Sequence, residues 1–191
     1  MKTRGPRPSA FAPSTAYTSS VLRVATYNIH KGVRGLGLRK RLEIHNLGLG
    51  IEALDADIVF LQEVLLFHAR DARRFDRTWL GWPDEGQAEF LAPPGYESAY
   101  RTNAVTRHGE HGNALLSRWP IGDIGHHDVS DHRFEQRGLL HVPVHWNGSV
   151  LHAVVAHLGL MHASRVRQVE RLAAFIEAHV PRHELLVVAG D

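Results

Sequence analysis

Four polar residues stand where apolar runs stop. Asn28 ends VLRVATYN, Glu63 ends DIVFLQE, His157 ends VLHAVVAH and Asp191 ends LLVVAGD. Taken singly, each has a plain explanation. A carboxylate after a strand serves a turn or a helix cap, and an Asn satisfies a neighbouring backbone group. Four repeats of one pattern point instead to strand ends that converge on a single concave rim. Carboxylate oxygens gathered there suit Mg²⁺, a hard ion that keeps several of its waters. A histidine beside them holds an oxyanion or handles a proton. The thiolates and clustered histidine spacing that favour zinc are missing from the set.

The elements that must position these residues follow from periodicity. Val21–Ile29 and Asp57–Glu63 read as strands, the second as a buried one with a functional C-terminal end. Leu38–Leu54 is loosely helical despite Gly48 and Gly50. Leu65–Leu80 also reads as a helix, and Glu85–Leu91 as a short one before the breaker at 92–95. Short strands are expected at Tyr96–Arg101, Asn113–Trp119, Ile121–Val129, Gly138–His145 and Val150–His157, the last two joined by a hairpin at Asn147-Gly148. An amphipathic helix follows, with Val166, Val169, Leu172, Ala173 and Ile176 on its apolar face and Arg165, Gln168 and Arg171 off it, ended by Pro181. Leu185–Ala189 is a final strand. Mixed strands and helices with strand hairpins in the middle indicate an α/β domain of two packed sheets.

Composition narrows the class. With 191 residues the chain has room for one domain and one substantial core. It has no cysteine, which excludes disulfides and a cysteine-based zinc site. The net charge of +2 does not by itself mark a nucleic-acid binder. No apolar run approaches the ~18 residues that span a bilayer. Residues 1–20 lack a continuous apolar core and read as a disordered tail, not a signal peptide, so a cytoplasmic location with room for peripheral membrane association is the expectation.

Residues 22–29, LRVATYNI, resemble the opening strand of the endonuclease/exonuclease/phosphatase superfamily, which has the DNase I-like fold. DIVFLQEV at 57–64 is similar to its second signature, GNALLSR at 112–118 to its central strand, and Arg137-Gly138 and Ala156-His157-Leu158 to the next two blocks. VVAGD at 187–191 looks like the start of its Gly-Asp-x-Asn motif. Five or six blocks occur in order from residue 21 to the last, and the TYNIHKG flavour resembles a bacterial branch that includes hydrolases of phospholipid head groups as well as nucleases.

The resemblance implies a two-sheet α/β sandwich with outer helices, over residues 21–191, whose C-terminal part is missing. It implies a phosphodiester or phosphate-ester hydrolase using Mg²⁺, with Mn²⁺ as a substitute, and metal-activated water. By the same resemblance Glu63 binds the metal and Asn28 orders the site. His157 contacts the scissile phosphate and Asp191 orients the attacking water. Arg137 and Asn113 are candidates for phosphate contact and scaffolding. The expected partner is a phosphate ester, a nucleic acid or a phospholipid head group, with no stable protein partner. The blocks that follow Gly-Asp-x-Asn, including an Asp-His pair, are absent from the chain. An inactive remnant or binding module is therefore the alternative. Arg34, Arg39, Lys40 and Arg41 near a glycine-rich loop form a solvated surface or reach a phosphate at the rim. Trp79, Trp82 and Phe90 are expected to serve core packing before any contact with substrate or membrane.

Overall fold

The computed structural model describes residues 21–76, 80–132 and 135–191; the expected tail and Trp79 lie outside them. Ten strands and four α-helices are laid out in chain order. Strand β1 is Val24–Asn28, and a short hairpin of β2 (Val33–Arg34) and β3 (Arg41–Leu42) follows. Helix α1 is Ile44–Leu54, β4 is Ile58–His68, α2 is Ala69–Phe75 and α3 is Gln87–Leu91. Then come β5 (Glu97–Thr106), β6 (Gly109–Ser117), β7 (Gly125–Asp128), β8 (Gly138–Trp146), β9 (Ser149–Ala156), α4 (His162–His179) and β10 (Leu185–Gly190).

Two four-stranded sheets pack face to face. One has the order β1-β4-β6-β5 and the other β10-β9-β8-β7. Strand alternation explains the layers. Ile58 and Phe60 of β4 and Leu115 of β6 point inward, against Leu140, Val142 and Val144 of β8 and Leu151, Ala153 and Val155 of β9. The alternate residues Val59, Leu61, Ala114 and Leu116 face outward, under Ile44 and Ile51 of α1 and Ala88 and Leu91 of α3. Phe175 of α4 covers the outer face of the second sheet with Leu139 and Val154. The architecture is the expected two-sheet sandwich with outer helices.

The Asn147-Gly148 hairpin forms as expected, with φ of 49° and 79° at its two corner residues, the left-handed geometry of a tight two-residue turn. Other elements differ. The helix expected over Leu65–Leu80 is strand as far as His68, because Leu65, Phe67 and His68 pair with His111, Glu110 and Gly109 of β6. Non-local pairing overrides the local pattern. The expected helix at Leu38–Leu54 begins only at Ile44; left-handed Gly35 and Gly37 turn the chain into the β2-β3 hairpin instead. The strand expected over Ile121–Val129 is confined to Gly125–Asp128.

The buried face of α4 agrees with expectation at Leu172 and Ile176, which pack against the core, but not one turn earlier. Val166 and Val169 are 45% and 48% exposed, whereas Gln168 is fully buried. Gln168 is tolerated there because its Oε1 accepts from the Gly159 N–H at 2.7 Å, and Ser164 donates to Asp131 at 2.8 Å. Edge strands β1 and β10 carry exposed Val24, Leu185, Leu186 and Val188. Among the described residues no helix is long and apolar enough to cross a membrane.

Candidate active site

The same alternation that builds the core delivers the polar residues. Asn28 of β1 pairs with Gln62 of the parallel β4, so both strands end at one edge of the first sheet. β10 and β9 also run parallel, which brings Asp191 and His157 to the matching end of the second sheet. Strand β6 is antiparallel to β4 and contributes its early residues, His111 and Asn113. β8 starts at this end, just after Arg137. All six sequence-predicted residues therefore gather at one end of the sandwich.

Between Leu61 and Val64 the β4–β6 ladder shifts register, with Gln62 and Glu63 together facing Asn113. Glu63 adopts φ 54°, in the left-handed region. A bulge of this kind re-aims a side chain that regular pleating would send to the outer face. Gln62 remains buried and donates to Thr26 and to the Phe60 carbonyl. Released from the ladder, Glu63 accepts from Asn28 Nδ2 at 3.1 Å, and the same amide donates to Asp191 Oδ2 at 2.8 Å. Asn28 Oδ1 accepts the His30 N–H at 3.0 Å. One amide thus joins two carboxylates from different sheets.

The turn after β1 adds residues that the sequence reading missed. His30, Lys31 and Gly32 all have positive φ, of 47°, 62° and 70°. Strain of this sort persists only when its surroundings hold it. Here Gln87 does so: it accepts from Leu65 N–H at 2.9 Å and donates to the Lys31 carbonyl at 2.8 Å. A Cβ at Gly32 would stand 2.5 Å from the Gln87 amide nitrogen. Lys31 Nζ and His30 Nδ1 each lie 3.9 Å from a Glu63 oxygen. A cavity of about 670 Å³ opens here, lined by Asn28, His30, Lys31, Arg34, Lys40 and Glu63 among others.

His111 was missed as well. Its signal was present, two residues before Asn113 and so on the same side of a regular strand. Burial, reinforced by the charges of Lys31 and Arg137 and opposed by Glu63, pushes His111 down to about 4. His157 is lowered by burial and then by Arg137, against the pull of Glu63 and Asp191. Both imidazoles are therefore neutral at ordinary pH and able to donate and accept.

Arg137 is held in place. Its Nε donates to the Leu158 carbonyl at 3.2 Å and its Nη2 to Glu135 at 3.0 Å. Asn113 is fully buried, and its amide donates to the Gly138 and Val155 carbonyls at 2.8 and 3.3 Å, stitching the two sheets together. Its Oδ1 finds no partner among the described residues. Trp82 stacks on Phe75, and Phe90 packs on the outer core of the first sheet.

The donor set suits a hard cation. Glu63 and Asp191 supply carboxylate oxygens, and Asp191 Oδ1 has no partner among the described residues. Among the described residues no group of three or more His, Cys, Asp or Glu side chains is arranged to hold a metal. A few protein oxygens supplemented by water is the manner in which Mg²⁺ is bound, and does not fit zinc.

Residues 25–191, which span both sheets and the rim between them, match the Endonuclease/Exonuclease/phosphatase family. The chain belongs to that family. It is 37% identical over 172 residues to the uncharacterized protein YbhP of Escherichia coli K12, covering 88% of this chain and 65% of that relative. Among solved structures, an endonuclease/exonuclease/phosphatase family protein from Leptotrichia buccalis superposes with a TM-score of 0.63 at 12% identity, covering 88% of this chain and 66% of the other. Sphingomyelinase C from Streptomyces griseocarneus gives a TM-score of 0.61 at 21% identity, covering 89% and 63%. The chain thus spans about 65% of the length of the relatives it matches.

Proposed function

We propose that the protein is a Mg²⁺-dependent hydrolase of phosphoric esters, acting by attack of water on phosphorus. The observation that carries this reading is the bridge from Asn28 to Glu63 and Asp191, two carboxylates from two sheets held by one amide beside a neutral histidine. Family membership supports the same reaction class.

Glu63 would hold the metal, with Asp191 and Asn28 ordering the site around it. When bound, the ion would supply Lewis-acid polarisation of the phosphoryl oxygens and charge for the departing oxygen. The chain's own residues do the rest. Asp191 accepts a hydrogen bond from the attacking water and orients its lone pair toward phosphorus. As the new P–O bond forms and the ester P–O bond breaks, the water's proton passes to the Asp191 carboxylate, the departing oxygen leaves as an alkoxide that solvent protonates, and negative charge grows on the non-bridging oxygens. His157, half-buried, donates to one of them, and Arg137 adds a fixed positive field from its clamp on Glu135 and Leu158. Asn113 keeps the two sheets at the spacing this requires.

Hydrolysis of bis-p-nitrophenyl phosphate and of plasmid DNA, with Mg²⁺ or with EDTA, tests the proposal on the full chain and its Glu63→Gln variant. EDTA-sensitive turnover that the variant lacks is the expected result. A folded, soluble sample with no turnover in any metal would overturn it and favour a binding role for the same cleft.

A further inference from the structure

A second cavity, of about 380 Å³, adjoins the one at the candidate site, and Lys31, Leu36 and Lys40 line both. Its remaining polar lining comes from the end of β4, from α2 and from the β5–β6 hairpin: His68, Arg70, Asp71, Arg74 and His108. Four cationic side chains therefore face a single carboxylate. That carboxylate, Asp71, is buried and already bound by Lys40 Nζ at 2.5 Å, while its own backbone N–H donates to His68 Nδ1 at 3.2 Å.

The cations differ in how far they are committed. Arg74 donates to the Gly37 and Lys40 carbonyls at 2.7 and 3.3 Å and so fixes the glycine-rich turn of the β2-β3 hairpin as the cavity wall. Lys31 reaches only to Glu63, at 3.9 Å. Arg70 is exposed and makes no hydrogen bond or ion pair among the described residues. Burial first, and then the charges of Lys40, His108 and Lys31, hold His68 below its usual range against the pull of Asp71. Four cations against one carboxylate leave a net positive charge in a concave wall, with Arg70 uncommitted and Lys31 loosely held, and this favours an anion with several acceptor oxygens. Lys31 connects that potential to the candidate catalytic rim.

We infer that this cleft binds a second phosphate group of the substrate, so that the preferred substrate is a phosphoric ester with one phosphate at Glu63 and another between Arg70, Lys40 and Lys31. This rests on the hydrolase reading for the first phosphate. The second phosphate supplies affinity and orientation and takes no part in bond breaking.

Calorimetric titration of the full chain in Mg²⁺ with propanediol, butanediol and hexanediol bisphosphates, against butyl phosphate as the single-phosphate control, tests the inference. At least one bisphosphate should bind about tenfold tighter than butyl phosphate, which is ~1.4 kcal/mol. Added NaCl should erode that advantage. Arg70→Gln should remove most of it and Arg70→Glu all of it, with butyl phosphate affinity and thermal midpoint unchanged. Equal affinities for all bisphosphates and butyl phosphate would overturn the inference, as would a bisphosphate advantage that survives Arg70→Glu. Because the titration reads binding, failure of the hydrolase proposal shows up separately, as absent turnover with the bisphosphate advantage intact.

Discussion

Asn28 and Glu63 lie on neighbouring parallel strands, and the Asn28 amide donates to Glu63 Oε1 at 3.1 Å only because a bulge swings Glu63 out of the β4 ladder. The amide also reaches Asp191, so its loss frees both carboxylates at once. Asn28→Ala should lower kcat on bis-p-nitrophenyl phosphate by about 10–10²-fold, the usual cost of losing a residue that orients metal ligands. Urea unfolding should hardly change, since the bridge is partly exposed. A variant that turns over like the parent would show that the bridge is ornamental to chemistry.

Gln87 ties Lys31 to β4 through two hydrogen bonds and is almost wholly buried. Gln87→Ala leaves the Leu65 N–H and the Lys31 carbonyl unpartnered and should destabilise the fold by about 1–3 kcal/mol. Since the turn it braces has three consecutive left-handed residues, activity should fall further than in a surface variant of equal stability. Urea midpoints and kcat measured side by side check both parts.

Asn113 donates across the sandwich from complete burial. Asn113→Leu leaves two carbonyls of the second sheet without that donor and should cost roughly 1–3 kcal/mol. Asn113→Asp should cost more, because it also places a charge in full burial between the sheets. Equal unfolding midpoints for Asn113→Leu and the parent would remove the scaffolding role.

His111 links stability to acid. Its pKa is about 4 in the fold against 6.5 when free, so the unfolded chain takes up the proton first as pH falls. Stability from this group is complete above 6.5, declines between 6.5 and 4, and is fully lost below that. The span corresponds to roughly 3 kcal/mol at most. His157 and His141, also lowered by burial, act in the same direction. His111→Gln should flatten the loss of urea resistance between about pH 7 and about pH 4.5, since Gln has no proton to gain. An unaltered slope would place the acid sensitivity elsewhere.

Much of this protein is local and therefore legible in the order of its residues. The apolar runs VLRVATYN, DIVFLQE and VLHAVVAH identify strands, and the polar residue that ends each run marks the rim. Asn147-Gly148 announces its own turn because the left-handed backbone it needs is a property of those two residues. What only the tertiary structure decided depends on partners distant in sequence. Leu65–His68 are strand because β6 offers them a ladder, and Gln168 is buried because a loop N–H awaits it. Glu63 points at Asn28 because two residues of β4 share one partner on β6, a register that no local pattern encodes. His111 becomes part of the site, and loses its affinity for a proton, through burial and the charges of Lys31 and Arg137, which approach it only once the sandwich has closed.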